Sequence, residues 1–400
     1  MQAIVYQQLR LQTSKNPLFK SNLLNNYTQR YFSQSTSCGI VGYPNIGKST
    51  LFNALNRTQI AQAKNYPFCT IDPNVAKVAV YDKNVRALQK ACKPEKTTPA
   101  QIEMWDIAGL IKGASEGAGL GNKFLANIRS VSSIVHLVRC FSDINVIHVE
   151  DVTNLDPITE MENVQTELIL SDLEVCHKKR GKKNMSQKEN LIWDRVFKAL
   201  DNGEPVRSLN FVHDEIEIVR QLPLITAKPI VYACNIDADS VQKGSNELAD
   251  KFKSYVNEKY PQVPVVVLSA LLENDIVQIR NDEGEEAAKE FMDAYGMQES
   301  QLDLLLEQCS DILGLQKFYT AGPTQVSSWF IDKGSTAPQA AGKIHSHFET
   351  KFICAEVCKV EDYEKYETEE AIRGKNKMQK FGKDYVMQEG DVIEVHHSAR

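Results

Sequence analysis

The strongest constraint on this chain is the octapeptide Gly42-Tyr-Pro-Asn-Ile-Gly47-Lys48-Ser49. It sits between an apolar pentapeptide, Ser37–Val41, and an amphipathic stretch from Lys48 to about Asn56. The set GxxxxGK[ST] between a strand and a helix is a phosphate-binding loop. Its glycines let the backbone turn closely enough for successive N–H groups to converge on one anion. The start of the helix adds its partial positive charge. Lys48 is placed to reach the β- and γ-phosphates of a nucleotide, and the Ser49 hydroxyl suits Mg²⁺. Asn45, Ile46, Gly47, Lys48, Ser49 and Thr50 are therefore the expected nucleotide contacts, with Lys48 also a catalytic candidate.

The remainder of the chain supports an α/β fold around that loop. Its 400 residues are 42 % apolar, ample for two or three cores. Candidate strands are Gln101–Asp106, Ile134–Cys140, Pro229–Cys234 and Val263–Ser269. Continuous apolar runs such as IVHLVRC and PIVYACN indicate a parallel sheet buried on both faces. The β/α rhythm breaks between about Pro157 and Pro223. There Glu160–Lys179 is a long helical pattern with apolar Val164, Leu168, Leu170 and Leu173. A basic turn, Lys178 to Lys183, and a second helical stretch from Gln187 to about Leu200 follow. This predicts an antiparallel helical hairpin inserted into the α/β domain. From about Phe318 short strands and turns predict a small α+β module.

A second motif, Asp106-Ile-Ala-Gly109, closes an apolar strand downstream of Lys48. In GTPase-type proteins such an Asp orients Mg²⁺ and the Gly N–H meets the γ-phosphate. Thr70, in Pro67-Phe-Cys-Thr70-Ile-Asp-Pro, is placed to complete the metal's coordination. The expected metal set is Ser49, Thr70 and Asp106. A guanine-specific site reads N-K-x-D, whose Asp accepts from guanine N1–H and the 2-amino group. Here the string is Asn235-Ile236-Asp237-Ala238-Asp239. An alanine cannot accept those bonds, so guanine preference is expected to collapse and ATP to be favoured. Asn235, Ile236 and Ser269, at the end of the next strand, are the candidates around the base. Asp237 or Asp239 could substitute for the missing acceptor. The residue after the DxxG motif is Leu110, where Ras-like enzymes place a water-orienting Gln. Turnover is accordingly expected to be slow, and the Gly-rich stretch Gly113–Gly121 is the expected γ-phosphate sensor.

GIVGYPNIGKSTLFNAL, NYPFCTIDPN, DIAGLIKGASEGAGLGNKFL and TAPQAAGKIHSHFE together resemble the Obg-like ATPases, the YchF subfamily of Obg-related proteins. The resemblance runs from about residue 37 to 396 in the same motif order. It implies a Ras-like P-loop domain (37–156 and 224–316), an inserted helical hairpin (157–223) and a ubiquitin-like, β-grasp TGS domain (317–400). It also implies ATP as the preferred substrate, though the family reads N-x-x-E where this chain has Ala238. His148 matches a histidine of the family and is a candidate for positioning the attacking water. Ribosome association is likewise implied, through rRNA phosphates.

Charge and cysteine usage narrow the setting. With 46 basic and 52 acidic residues, net charge −6, any RNA contact must come from local patches. The candidates are Lys178–Lys183 and Lys375, Lys377, Lys380 and Lys383. The longest apolar run, Val263–Leu272, is about half a membrane span. The nine cysteines include no CxxC pair; Cys354 and Cys358 alternate with apolar residues as small buried hydrophobes. The first 37 residues hold Arg10, Lys15, Lys20 and Arg30 and no acid before Asp72. Residues 1–36 therefore read as a mitochondrial transit peptide, with a cytosolic tail as the alternative. The expectation is a slow, Mg²⁺-dependent ATPase switch on ribosomes. A nucleotide-gated binding module with little turnover and a GTP-using GTPase are the alternatives. A P-loop kinase is disfavoured because Thr70 and Asp106–Gly109 are switch features.

Overall fold

The computed structural model describes residues 36–63, 74–80, 82–107, 119–142, 156–179 and 186–398. Thr70, Gly109, Leu110, His148, Gly113–Ala118, most of the basic hairpin turn and nearly all of the leader lie outside them.

The first sheet is built from the apolar runs. Its strands are β1 (Ser37–Val41), β2 (Val75–Ala79), β4 (Gln101–Asp106), β5 (Ser133–Arg139), β6 (Ile230–Asn235) and β7 (Val265–Leu268), in the order β2-β4-β1-β5-β6-β7. Every residue of β1, β5 and β6 is buried, as a sheet covered by helices on both faces requires. The pairs β1–β4, β1–β5, β5–β6 and β6–β7 are parallel. The edge strand β2 is antiparallel to β4, with Val75 opposite Trp105 and Ala79 opposite Gln101. The all-parallel expectation is corrected at this edge. A strand at the sheet edge can pair antiparallel with its neighbour, which needs no crossover connection, without disturbing the buried centre.

The helix after the phosphate loop spans Lys48–Ala63, and its Leu51, Phe52 and Leu55 enter the core with Ile40, Ile102 and Met104. The insertion forms as expected, from helices Pro157–Lys179 and Gln187–Asp201. The second helix starts at a capping box. Ser186 Oγ accepts from Glu189 N at 3.2 Å, and Glu189 Oε2 accepts from Ser186 N at 2.7 Å. A third helix, His213–Arg220, closes a small core of its own with Ile169, Trp193, Val196 and Phe211. Leu170, expected on the apolar face, is 43 % exposed, and Ile169 takes the inward place.

The hairpin is tied to the segment leading into β6 by a buried carboxylate. Asp172 accepts from Ile225 N (2.9 Å), Thr226 N (2.7 Å) and Thr226 Oγ1 (2.7 Å). Burial raises its pKa, and these three bonds pull the other way. Beside it, Arg129 donates to Ser171 Oγ at 2.7 Å. The Lys228 ammonium meets the carbonyls of Arg129 and Val131.

The second sheet holds β8 (Leu315–Thr320), β9 (Gln325–Asp332), β10 (Phe352–Lys359), β11 (Gln379–Phe381) and β12 (Asp391–His397). Its sixth member comes from far upstream. Strand β3 (Lys96–Thr98) pairs parallel with β9, Lys96 opposite Gln325 and Thr98 opposite Ser327. The helix Lys83–Cys92 accompanies it, burying Val85 and Leu88 against Tyr319, Val326 and Tyr363. Residues 82–98 thus pack with the C-terminal module, although their place in the chain put them in the nucleotide domain. Asp82 is the joint. Its Oδ1 caps the helix at Val85 N (2.9 Å), while Oδ2 accepts from Tyr319 Oη (3.0 Å) and pairs with Lys317 Nζ (2.6 Å).

Among the described cysteines all eight are free; Cys354 and Cys358 are buried in β10, as read from their alternation.

Candidate functional site

The C-terminal ends of β1, β4, β5, β6 and β7 meet at one rim, where ligands bind in open α/β sheets. The cleft there has a volume of about 800 Å³ and is lined by residues from four of those strand ends. Asn45, Gly47, Lys48, Ser49 and Thr50 form one wall; Asn235–Ala238 and Ser269–Leu271 form the other.

The phosphate loop has the backbone its sequence predicts. Gly42 and Gly47 take φ of +148° and +96°, and Asn45 takes +61°. A Cβ on Gly42 would stand 2.5 Å from the Leu137 carbonyl oxygen, and one on Gly47 would stand 2.6 Å from Asn235 Nδ2. No larger residue fits either position without displacing the neighbouring strand. Lys48 is 7 % exposed, and its Nζ donates to the Tyr43 carbonyl, closing the loop on itself. Burial lowers its pKa from 10.5 to about 8, with the Asp106 carboxylate pulling it back up.

Ser49 Oγ donates to Asp106 Oδ2 at 3.2 Å. Two oxygen donors side by side at the foot of the phosphate loop form a hard donor set of the kind Mg²⁺ selects. Thr70, the third expected ligand, and Gly109 and His148 lie outside the described residues.

Asn235 is 6 % exposed, and both halves of its amide are committed. Its Nδ2 donates to Ile46 O at 2.8 Å, and its Oδ1 accepts from Ala270 N at 2.9 Å. It therefore staples the phosphate loop to the loop after β7. Ile46 and Ile236 are 2 % and 3 % exposed; Ile236 lines the cleft, and Ile46 does not. Ser269 is 3 % exposed and precedes the helix Ala270–Asp282 without capping it through its side chain.

Of the two acids that could stand in for the acceptor at position 238, Asp237 lines the cleft wall. Its carboxylate is held as the cap of the next short helix, with Oδ1 accepting from Ser240 N (2.8 Å) and Oδ2 from Ser240 Oγ (2.9 Å). Asp239 is exposed and does not line the cleft. Ala270 and Leu271 line it beside Ser269, and sequence reasoning missed Phe141 and Ser142, which also line it. Arg139 lies over the Phe141 ring at 4.8 Å and donates to its carbonyl at 3.0 Å, which fixes the ring at the mouth. The available signal was position alone: Phe141 follows the last residue of β5 by two. His136 on β5 is a different case. Fully buried beside Tyr232, with its pKa lowered to about 3 by burial first and by Arg207 and Lys48, it stays neutral within the core.

Comparison with known proteins agrees with this arrangement. Residues 37–179 match a family described as 50S ribosome-binding GTPases, and residues 315–398 match the C-terminal YchF-GTPase family, described as a protein of unknown function. The chain is 42 % identical to the ribosome-binding ATPase YchF of Bacillus subtilis, over 89 % of this chain and 98 % of that one. It is 38 % identical to Obg-like ATPase 1 of Rattus norvegicus, over 90 % and 92 %. The solved Schizosaccharomyces pombe YchF GTPase superposes with a TM-score of 0.79 at 36 % identity, covering 90 % of this chain and 97 % of that one. These relatives carry both base names, ATPase and GTPase, on one architecture. With such identity along nearly its whole length, this chain belongs to the YchF family of Obg-like ATPases.

Proposed function

We propose that this protein is a Mg²⁺-dependent P-loop ATPase that prefers ATP to GTP and works as a slow nucleotide switch on ribosomes. The observation that carries the base preference is the fate of the acidic groups. Asp237 is oriented by Ser240 as a helix cap, Asp239 lies outside the cleft, and Ala238 stands where a guanine-reading carboxylate would be. A guanine placed here would leave its N1–H and 2-amino donors unmatched, at about 1–3 kcal/mol each. Adenine brings no such pair.

Phosphoryl transfer to water asks mainly for positioning and charge stabilisation. The residues divide that work. The backbone of Gly42–Lys48 holds the phosphates, and Lys48 places a cation on the β- and γ-oxygens. Ser49 and Asp106, joined by Thr70, would hold Mg²⁺, which would supply charge neutralisation for the phosphates. Leu110 has no group to orient the attacking water, which supports slow turnover, and His148 is the candidate for that task. The ribosome enters through relatives known as ribosome-binding ATPases and through the basic residues of the hairpin turn and of Lys375–Lys383. The acid-free leader supports a mitochondrial location.

Competition binding of ATP against GTP at millimolar Mg²⁺ tests the base reading. Selectivity for GTP of tenfold or more overturns it. Single-turnover hydrolysis with and without ribosomes tests the switch. A rate unchanged by ribosomes, with ribosome affinity that depends on ATP, would instead favour a nucleotide-gated binding module.

A further inference from the structure

The C-terminal sheet has an open edge inside it. Strand β12 pairs antiparallel with β10 along its length, from Asp391 opposite Lys359 to His397 opposite Phe352. On its other side only one pair forms, Val392 with Tyr319 of β8. The β8–β9 connection turns away there, because β8 ends at Thr320. Among the described residues, Glu394–His397 thus have no strand on that side, and their outward backbone N–H and C=O groups await one.

A cavity of about 290 Å³ lies against this edge. Ile344 and Phe348 line it beside Ile393 and Val395, all members of the core on one face of the sheet. Tyr363 and Met378 line it beside Val392, from the core on the other face. Thr320 and Ala321, at the turn out of β8, also line it. The space is therefore a slot in the plane of the sheet, with apolar walls and a backbone floor.

We infer that this slot receives an extended, basic peptide segment of a partner protein, which adds a strand to the free edge of β12. The backbone floor selects an extended chain, since only another peptide backbone offers amide donors and acceptors at strand spacing. The apolar walls take alternate side chains. The charge of the lining selects the partner's sign: its charged residues are Glu369 and Glu394, with no lysine or arginine among them. Arg373 bridges both, at 2.8 Å and 2.6 Å, and also pairs with Glu356, so three carboxylates share one guanidinium. Lys380 stands on β11, on the far side of β10. A nucleic-acid strand could stack on the pair formed by half-buried Phe348 and exposed His397, whose ring centroids are 4.4 Å apart. Its phosphates would then face the carboxylates of the lining, so the peptide is the occupant this surface favours.

The experiment uses the full-length protein and a fluorescent peptide of alternating Val and Lys, about eight residues long, enough to span Glu394–His397. Saturable binding is expected, with slowed amide exchange at Glu394–His397. Methylating the peptide's edge-facing backbone nitrogens should weaken binding at least tenfold, because it removes the added strand's donors. Glu394→Lys should weaken the Val-Lys peptide about tenfold and improve binding of a Val-Glu peptide. Ala321→Trp, which fills the slot, should abolish binding; the charge swap at exposed Glu394 carries the test if that variant fails to fold. Several outcomes overturn the inference. They are no binding up to about 1 mM peptide, indifference to N-methylation, or competition by a single-stranded RNA that Ala321→Trp also blocks.

Discussion

Replacing Lys48 by methionine should stabilise the nucleotide-free protein while destroying its grip on nucleotide. The Lys48 ammonium is 7 % exposed and its pKa is lowered from 10.5 to about 8, first by burial. Near pH 7 it is protonated in both folded and unfolded chains. Folding then carries the full cost of the shift, about 3 kcal/mol at 1.36 kcal/mol per unit. Methionine keeps the unbranched stem and removes the charge. It also removes the donor to the Tyr43 carbonyl, which costs about 1 kcal/mol. The net expectation is a gain of about 2 kcal/mol. The depressed pKa of a cation fixes the sign of the pH dependence. The penalty is complete below the folded value near 8, and it fades as pH rises towards 10.5, where the unfolded chain would also lose the proton. The advantage of Lys48→Met should therefore shrink by about 2 kcal/mol between pH 7 and 9.5.

Urea unfolding of both proteins across that range, without nucleotide or Mg²⁺, measures it. Taking the difference cancels Lys228, whose pKa is also lowered to about 8 by burial. Saturating Mg·ATP should reverse the order, since ligand at 100 times its Kd stabilises only the wild type by about 2.7 kcal/mol. A nucleotide-free variant less stable than wild type at pH 7, or a gap that does not change with pH, would refute the idea that the charge is held ready at the expense of stability.

Three further outcomes can be measured separately. The double substitution Ile236→Lys with Ala238→Asp restores the guanine reader, and competition binding should shift towards GTP by tenfold or more; an unchanged ratio would show that the base is chosen elsewhere in the cleft. Asp82→Asn keeps the helix-capping oxygen but leaves buried Lys317 without its ion pair, so a loss of about 3 kcal/mol is expected in chemical unfolding; a loss below 1 kcal/mol would mean the pair is effectively solvated. Amino-terminal sequencing of the endogenous protein should find a mature start between Ser33 and Ser37, and an intact Met1 would contradict mitochondrial import.

The buried centre of the fold was legible because its physics is local. Strands β1, β5 and β6 are continuous apolar runs, and the GxxxxGK[ST] loop dictates its own backbone. Strand β3 was illegible for the opposite reason: Lys-Thr-Thr has no apolar residue and becomes a strand only because β9 offers an edge. Strand β2 is only five residues long with Lys77 at its centre, so neither its existence nor its reversed direction could be read from periodicity. Leu170 failed by one position. The sequence shows two adjacent apolar residues, and only the third helix of the insertion decides that Ile169 turns inward. In the cleft, motif positions were readable, but the second jobs of the side chains were not. Nothing in the string Asn-Ile-Asp-Ala says that Asp237 caps a helix or that the Asn235 amide joins two loops.

That second job of Asn235 changes what its presence means. In a guanine-reading motif an asparagine here suggests base recognition, yet here both halves of its amide are bonded to backbone, to Ile46 O and Ala270 N. Its removal would leave two buried groups unpaired, at about 1–3 kcal/mol each. Asn235→Ala should therefore destabilise the protein by about 2–6 kcal/mol. It should loosen the phosphate loop for every nucleotide alike, lowering ATP and GTP affinity by the same factor. Asn235→Asp should be no milder, because it sets a carboxylate oxygen against the Ile46 carbonyl that the amide now satisfies. Were the asparagine chiefly a base reader, its loss would change the ATP-to-GTP ratio and leave urea unfolding nearly untouched. A ratio altered tenfold with stability preserved would sink the staple. A common loss of affinity and stability would explain why a chain with Ile236 and Ala238 in the reader still depends on Asn235: the phosphate end of the site needs it whichever base is bound.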